Sequence, residues 1–221
     1  MPPTVVDHPL AQHLLTRLRD RDTPPTVFRT LAKRLTVALI MEAVRTLPTE
    51  AVEVDTPLER APGLQIRPDL VAVPILRAGL GMLEAVTDLF PEVTVGYVGL
   101  ERDDETLAPT SYYEKLPPVA GRHVLLLDPM LATGGSAARA CASIQAGGPA
   151  KILFVCVVAA PEGLARMEAE HPGVPVFTAG VDRQLNDRGY ILPGLGDFGD
   201  RLFGTNPGAG VRDRAPSTSG G

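Results

Sequence analysis

The feature that most constrains the fold is a series of short apolar runs without polar alternation. They lie at Leu70–Ile75, Val93–Val98, Val124–Leu127, Ile152–Val158 and Val174–Phe177. A strand that is apolar at every position is buried on both faces, which is typical of a parallel sheet covered by helices on each side. Segments with helical spacing lie between these runs, at Leu80–Leu89, Gly135–Ala146 and Gly163–Glu170. This alternation predicts an α/β fold with a parallel sheet flanked by helices.

The two ends of the chain differ in composition from this central part. Two helices are predicted before the first strand, over Asp7–Asp20 and Thr26–Leu47, and a Pro-rich break follows at Thr56–Gly63. Because 221 residues suffice for one sizeable core, residues 1–205 are predicted to form a single domain. Residues 206–221 are rich in Gly, Pro and Ser, which predicts a disordered C-terminal tail.

Charge and hydropathy exclude several classes of function. With 21 basic and 26 acidic residues the net charge is −5, so no overall field attracts this chain to nucleic acid or to an anionic membrane. The N-terminal segment carries charges where a secretory signal needs an apolar core, and the apolar run Ile152–Ala160 is too short to span a bilayer. These features predict a cytoplasmic protein with no membrane or nucleic-acid partner.

The cysteines and histidines show no catalytic or metal-binding spacing. Cys141 and Cys156 lie among apolar or small residues, which favours buried, reduced thiols over a disulfide or a nucleophile. The four histidines are dispersed among predicted loops and helix ends, and we interpret them all as structural: His8, His13, His123 and His171. The sequence therefore predicts neither covalent catalysis nor a protein-bound metal.

A glycine-rich segment directly follows the apolar run Val124–Leu127. This segment, which we call the glycine turn, is Asp128–Ser136. In open parallel sheets ligands bind at the carboxyl ends of the strands, and Thr-Gly-Gly-Ser at a helix N-terminus offers backbone N–H groups and hydroxyls to a phosphate. No lysine follows the glycines, so the turn is not a Walker A loop. A plain strand-to-helix turn with Thr133 as N-cap is the alternative, but it leaves Asp128 unexplained.

A second glycine pattern, Gly194–Gly199, matches G-x-G-x-x-G to the letter. It follows Tyr190–Pro193 rather than a convincing strand, and no helix plainly continues it. We therefore interpret it as a rigid loop with backbone donors and acceptors, not as a dinucleotide site. Turn chemistry beside the glycines is an alternative role for Asp197 and Asp200.

Three segments together resemble the signatures of the uracil phosphoribosyltransferase family: Val73–Met82, the glycine turn, and Gly189–Thr205. The resemblance extends from His8 to Thr205 and includes Glu105–Leu107 and Tyr112–Pro117. It implies a type I phosphoribosyltransferase fold, with a small hood and a flexible arm beside the parallel sheet. The implied reaction joins uracil to the phosphoribosyl group of phosphoribosyl pyrophosphate (PRPP), which gives UMP and diphosphate and serves pyrimidine salvage.

The resemblance also implies roles for individual residues. Thr133–Ser136 would hold the 5′-phosphate, Asp128 the ribose hydroxyls, and Arg77 and Arg102 the pyrophosphate, with Arg102 and Asp128 as the catalytic residues. The residues that the resemblance assigns to PRPP are Arg77, Arg102, Asp128, Pro129, Met130, Leu131, Ala132, Thr133, Gly134, Gly135, Ser136 and Asp197. Mg²⁺ would arrive with PRPP, without an assigned protein ligand.

The implied uracil pocket consists of main chain at Ile191, Gly196, Asp197 and Phe198. Uracil presents acceptor, donor and acceptor along one edge, which alternating N–H and C=O groups can match. The position of Phe198 is more familiar in this family as alanine. Its ring would either narrow the pocket or point away from it.

The sequence around Arg77 supports a role in the site more strongly than the sequence around Arg102 does. Arg77 follows the apolar run Val71–Leu76 and precedes Ala78–Gly79, which places it at a strand end beside a permissive backbone. Arg102 lies in the charged run Glu101–Glu105, where composition alone favours a solvated surface residue. Only the resemblance assigns Arg102 to the site.

The polar segment Glu101–Pro118 has too few apolar residues for a buried element. It is interpreted as a flexible lid or as an exposed hairpin that pairs with another subunit. The resemblance implies a homo-oligomer, a dimer or larger, and makes GTP a candidate allosteric effector. An RNA-binding regulator and a scaffold protein on a degenerate transferase fold are the alternatives, and the acidic charge and the intact Arg77 and Asp128 argue against them.

Overall fold

The computed structural model describes residues 2–66, 69–102 and 109–205, and for residues 101, 102 and 109–111 it describes the backbone alone. The predicted tail, 206–221, lies outside the described residues. The helices are α1 (Pro9–Arg19), α2 (Pro25–Val44), α3 (Leu80–Leu89), α4 (Gly135–Ala146), α5 (Pro161–Glu170) and α6 (Phe198–Phe203). The strands are β1 (Thr4–Val5), β2 (Thr49–Asp55), β3 (Arg60–Ile66), β4 (Leu70–Leu76), β5 (Thr94–Val95), β6 (Tyr97–Arg102), β7 (Pro109–Lys115), β8 (His123–Leu127), β9 (Met130–Leu131), β10 (Lys151–Ala159), β11 (Val176–Val181), β12 (Gln184–Leu185) and β13 (Ile191–Leu192).

The central sheet has the strand order β1-β11-β10-β8-β4-β6-β7. Its strands are parallel from β1 to β6, and β7 pairs antiparallel with β6. The short strands β5 and β9 extend it beside β4 and β10. Two antiparallel ribbons, β2–β3 and β12–β13, stand outside this sheet. The parallel order brings the carboxyl ends of β4, β6 and β8 to one edge, where ligands of such sheets bind.

The sheet is buried on both faces, which explains the unalternating strands. On β8, Leu125 and Leu127 belong to one apolar core, together with α1, α2 and α3. Val124 and Leu126 point to the other face and belong to a second core, with α4 and Met167 of α5. The predicted fold class, a largely parallel sheet between two layers of helices, is therefore confirmed.

Most predicted elements lie within a few residues of the observed ones, but the Pro-rich break predicted at Thr56–Gly63 is right only for Thr56–Glu59, which connect β2 and β3. Strand β3 begins inside it, at Arg60, and pairs with β2 through Pro62 and Gly63. A two-stranded ribbon tolerates proline because each strand has a free edge on which the missing N–H does no harm. Among the helices of the described residues, none is both long and apolar enough to cross a membrane.

Candidate active site

A cavity of about 330 Å³ opens at the carboxyl edge of the sheet. One side is formed by the ends of β4, β6 and β8, and the other by the segment Gly189–Gly199, which we call the hood loop. The bordering residues are Ile75, Leu76, Arg77, Ala78, Leu100, Asp128, Met130, Ala132, Ser136, Gly189, Tyr190, Ile191, Gly196, Asp197, Phe198 and Gly199. The structure thus brings together the three segments that the sequence singled out.

The glycine turn is held to the sheet by backbone hydrogen bonds. The Asp128 N–H donates to the Val155 carbonyl at 3.2 Å, and the Leu131 carbonyl accepts from the Ala160 N–H at 2.8 Å. The Asp128 carboxylate accepts from the Met130 N–H at 3.4 Å, which directs the side chain along the turn beside the cavity. This placement at the end of β8 confirms the predicted position of the carboxylate at the sheet edge.

The turn passes into α4 through Gly134, the N-cap residue. Its φ of +76° lies in the left-handed region, and a Cβ there would be 3.0 Å from the Gly163 carbonyl oxygen. Glycine is therefore required both by conformation and by space. The alternative interpretation named Thr133 as N-cap, whereas the N-cap residue is Gly134, and the Thr133 hydroxyl accepts from the Gly135 N–H at 3.4 Å.

The turn is open towards the cavity. Ser136 borders the cavity and Thr133 is half-buried, so neighbouring side chains do not seal the hydroxyls. The first N–H groups of α4 have no carbonyl partner within the helix, and the helix dipole places partial positive charge there. This end of the cavity is suited to a phosphate group. Four other predicted turn residues are buried and are not among the residues that border the cavity: Pro129, Leu131, Gly134 and Gly135.

Arg77 follows β4 and reaches over the cavity. Its side chain is 61% exposed, and Nη2 lies 3.9 Å from Asp200 Oδ1. Gly79 beside it is required for space, not for conformation, because its φ is −60° and a Cβ would lie 2.5 Å from the Leu127 carbonyl oxygen. The expectation of a permissive backbone is thus wrong there. This close approach sets the start of α3 against the end of β8, so Arg77 and Asp128 border one cavity.

Arg102 is only partly described. Its backbone ends β6 and pairs with Pro109 of β7, whereas its side chain lies outside the described residues. The described part of the predicted lid, Glu101–Pro118, is an antiparallel hairpin of β6 and β7, and residues 103–108 lie outside the described residues. The hairpin form agrees with one of the two interpretations of this segment.

The hood loop begins in the β12–β13 ribbon and ends in a short helix. Gly194 has a φ of +62°, and a Cβ there would lie 2.2 Å from the Ile191 carbonyl oxygen. Asp197 caps α6, since its carboxylate accepts from the Asp200 N–H at 2.8 Å. The expectation that no helix follows this glycine pattern is wrong. The preceding β13 belongs to an antiparallel ribbon, however, so the segment lacks the parallel βα unit of a dinucleotide site.

Phe198 points into the protein core. Its side chain is 1% exposed, and its ring packs edge-on against Phe28 of α2, with centroids 5.1 Å apart. The residue still borders the cavity. Of the two alternatives for this ring, the structure supports the one in which it points away from the pocket.

Both cysteines are buried and free, as predicted. Burial raises the pKa of each thiol to about 12. His8 accepts a hydrogen bond from the Leu10 N–H at the start of α1, and His171 contacts Gln145 and the Ala138 carbonyl. His13 lies within α1, not at a helix end as expected. Among the described residues no His, Cys, Asp and Glu side chains cluster in a way that could hold a metal ion.

Some bordering residues were not predicted individually. Ile75, Leu76 and Ala78 lie next to Arg77, and Tyr190 lies next to Ile191. Their position beside predicted site residues could have indicated that they border the cavity. Leu100 lies near the end of β6, where only its place on a strand neighbouring β4 could have indicated it. The sequence thus located the segments of the site better than its full lining.

A glycine turn, a carboxylate and an exposed arginine at the carboxyl edge of a parallel sheet are together suited to bind a phosphorylated ligand. The family model described as "UPRTase: Uracil phosphoribosyltransferase" matches residues 5–205, and this chain belongs to that family. The predicted family and the enzyme class, a pentosyltransferase, are confirmed.

Curated relatives and a solved structure agree with this assignment. The chain is 51% identical to a uracil phosphoribosyltransferase of Dictyoglomus thermophilum over 91% of its length and 98% of the relative. It is 49% identical to that of Symbiobacterium thermophilum, covering 91% of this chain and 97% of the relative. Its structure resembles the AQ2163 protein from Aquifex aeolicus, with a TM-score of 0.88, 41% identity, and coverage of 91% and 98% of the two chains.

Proposed function

We propose that this cavity is where the phosphoribosyl group of PRPP is transferred to uracil, which gives UMP and diphosphate in pyrimidine salvage. The observation that carries the proposal is the single cavity bordered by Arg77, Asp128, Ser136 and the hood loop. These are the parts that the reaction needs: cations for a diphosphate, a carboxylate near the ribose, and a separate surface for the base. Family membership supports the same assignment.

The glycine turn is proposed to bind the phosphoribosyl part of PRPP. N–H groups at the start of α4 and the hydroxyls of Thr133 and Ser136 would hold the 5′-phosphate. The Asp128 carboxylate, held beside the cavity, would accept hydrogen bonds from the ribose hydroxyls. As positive charge develops on the sugar ring, the same carboxylate would stabilise it, which is the catalytic role proposed for Asp128.

Arg77 and Arg102 are proposed to bind the pyrophosphate. Arg77 supports this role because its guanidinium is largely exposed over the cavity and lies 3.9 Å from Asp200, beyond hydrogen-bond distance. It can therefore turn to a diphosphate without losing a strong partner. For Arg102 the proposal rests on the family resemblance. Arg102→Ala is expected to raise the KM for PRPP in steady-state assays, and a wild-type value would contradict the role.

The hood loop is proposed to bind uracil through main-chain groups of Ile191, Gly196, Asp197 and Phe198, and Asp197 is proposed to contact PRPP as well. The packing of the Phe198 ring against Phe28 supports this, because the main chain of Phe198 is then what remains towards the cavity. Cytosine would leave buried groups unpaired at such a surface, a mismatch that can discriminate by about 10⁴-fold.

Mg²⁺ is proposed to enter with PRPP. The ion keeps most of its waters and needs only one or two carboxylates beside substrate phosphates. Asp128 and Asp197 border the cavity, so the residues present fit a hydrated ion. When bound, the ion would neutralise charge on the departing diphosphate.

Assembly and regulation remain proposals as well. Homo-oligomer formation is supported by apolar side chains exposed on the β2–β3 ribbon, where Leu58 is 95% and Leu64 is 76% exposed. GTP activation rests on the resemblance alone, and an assay with and without GTP would test it. We also propose that residues 1–205 form one domain, which the family match over 5–205 supports, and that the protein is cytoplasmic.

The reaction can be tested directly. Incubation with uracil, Mg²⁺ and PRPP is expected to yield UMP and diphosphate, measured by chromatography. Parallel reactions with cytosine, hypoxanthine and orotate are expected to yield no nucleotide. Absence of UMP from the folded protein, or equal use of another base, would overturn the proposed function.

A further inference from the structure

We propose that Arg19, Asp182 and Arg201 are positioning residues that hold the hood loop in its uracil-binding conformation. This inference rests on the proposed function, because it concerns how that site is supported. It assigns to the N-terminal helix α1 a part in base binding, although α1 does not border the cavity.

The first contact is a paired arginine and carboxylate behind the loop. Arg19, the last residue of α1, donates from Nη1 to Asp182 Oδ2 at 2.8 Å and from Nη2 to Asp182 Oδ1 at 2.6 Å. The Asp182 side chain is 5% exposed and that of Arg19 is 26% exposed. Such a bidentate pair has a fixed geometry, which a lysine could not reproduce.

The Arg19–Asp182 pair forms hydrogen bonds with the main chain of the hood loop at Gly194. The Arg19 Nη1 also donates to the Gly194 carbonyl at 2.7 Å, and the Gly194 N–H donates to Asp182 Oδ2 at 2.9 Å. The Gly194 N–H and the Gly194 carbonyl are therefore both hydrogen-bonded to the Arg19–Asp182 ion pair. Gly194 lies between Ile191 and Gly196, two of the proposed uracil-binding residues, so its position sets the spacing of the groups that face the base.

The second contact is Arg201, in α6. Its Nη1 donates to the Leu195 carbonyl at 2.7 Å and also to the Leu18 carbonyl of α1, and its Nη2 donates to the Asp20 carbonyl at 2.5 Å. Arg201 thus connects the hood loop to the end of α1 at a second residue, Leu195, next to Gly194. Burial lowers the pKa of Arg201, while the charge of Asp20 acts in the opposite direction.

An aromatic contact links this support to the last uracil-binding residue. The Arg201 guanidinium lies 4.4 Å from the centroid of the Phe28 ring, and Phe28 packs edge-on against Phe198. Helices α1 and α2, together with Arg201 of α6, therefore fix the loop at Gly194, Leu195 and Phe198. Because main-chain recognition depends on exact placement of N–H and C=O groups, loosening these contacts should weaken uracil binding before it weakens PRPP binding.

The test is steady-state kinetics with separate KM values for uracil and PRPP. Arg19→Met is expected to raise the KM for uracil about tenfold or more, with the KM for PRPP changed less than about twofold, because charged hydrogen bonds to the loop are lost. Arg19→Lys is expected to recover part of the loss, since it keeps the charge but not the bidentate geometry. If Arg19→Met does not fold, the isosteric Asp182→Asn carries the same prediction.

Arg122→Met provides a matched control. Arg122 also anchors main chain, through the Leu70 and Pro118 carbonyls, but it does so at the amino ends of the strands. It is expected to lower thermal stability while leaving the KM for uracil unchanged. An unchanged uracil KM in Arg19→Met, an equal rise of both KM values, or an equal uracil effect in Arg122→Met would overturn the inference. A wild-type protein that makes no UMP would instead overturn the proposed function and this inference with it.

Discussion

The glycine turn and the hood loop face each other across one cavity but are held in place differently. The glycine turn is fixed by its own strand and helix and by backbone bonds to β10, the neighbouring strand. The hood loop is fixed by side chains from α1, α2 and α6, and Arg19 and Gly194 are 175 residues apart in the chain. One side of a site can thus be held in place by residues nearby in the chain, while the other side depends on residues that are distant in the chain.

The largest effect is expected from Asp128→Ala, which removes the carboxylate of the glycine turn. Turnover should fall by about 10²–10³-fold, the scale seen when one electrostatic group of an active site is removed. The circular dichroism spectrum should stay unchanged, since the Asp128 backbone bond to Val155 does not need the side chain. Asp187→Ala, at an exposed carboxylate of the β12–β13 connection, is the control and should retain activity. Wild-type turnover in Asp128→Ala would contradict the assigned role.

The next effect concerns the hood loop and is one of stability. Phe198→Ala removes a fully buried ring, which is expected to lower the free energy of unfolding by about 3–5 kcal/mol in denaturant titrations. Phe203→Ala, at a ring that is 43% exposed in the same helix, should cost much less. Because the Phe198 ring points into the core, preference among substituted uracils should stay the same. Altered preference with unchanged stability would place the ring in the pocket instead.

A smaller effect is expected from Gly134→Ala in the glycine turn. A non-glycine residue at φ +76° costs roughly 1–2 kcal/mol, and the added Cβ would press on the Gly163 carbonyl. The KM for PRPP should rise severalfold while that for uracil stays near its wild-type value. Gly148→Ala has the same conformational strain at φ +68°, with no atom within 4 Å of the added Cβ, and should leave both KM values unchanged. If Gly134→Ala raised the KM for uracil and not that for PRPP, the proposed difference between the glycine turn and the hood loop would be wrong.

The smallest effect on activity near neutral pH is expected from alkylation of the two cysteines. Burial raises the pKa of Cys141 and Cys156 to about 12, so their thiolate fraction at pH 7 is about 10⁻⁵. Alkylating reagents should leave activity unchanged at this pH, whereas both thiols should react once urea unfolds the chain. Rapid loss of activity in the folded protein would show that a thiol is accessible.

The same thiols make stability depend on alkaline pH. Their folded pKa lies above the value of 9.0 for an exposed thiol, so the unfolded chain loses these protons first. This contribution to stability is fully present below pH 9 and is lost as the pH rises through 12. Denaturant midpoints measured across this range should fall less in the Cys141→Ala and Cys156→Ala double variant.

The sequence predicted the parts of the fold that depend on local pattern. Helices α3 and α4 match their predicted bounds, since apolar spacing and glycine boundaries define them within one segment. Strand β3 was missed because Pro62 and Gly63 are typical of a break, and only pairing with β2 shows that they lie in a ribbon. Helix α6 was missed because a helix from Phe198 to Phe203 is too short to show periodicity.

The support of the hood loop could not be predicted for a related reason. Arg19 and Asp182 lie 163 residues apart, and each is an unremarkable charged residue in its local sequence. Asp128 and the glycine turn, in contrast, were recognisable because strand, carboxylate and glycines follow one another directly. Long-range partners become visible only when the topology brings α1 beside the end of β11.

The contacts between α1 and the hood loop join the two ends of the described chain, which has a consequence for synthesis. Gly194 and Arg201 are synthesised after α1 and after β10, so we expect the glycine turn to pair with β10 before the hood loop can contact α1. We therefore expect the proposed uracil side of the pocket to be completed last. A nascent or truncated chain that ends before the hood loop could present a phosphate-binding surface without a place for the base.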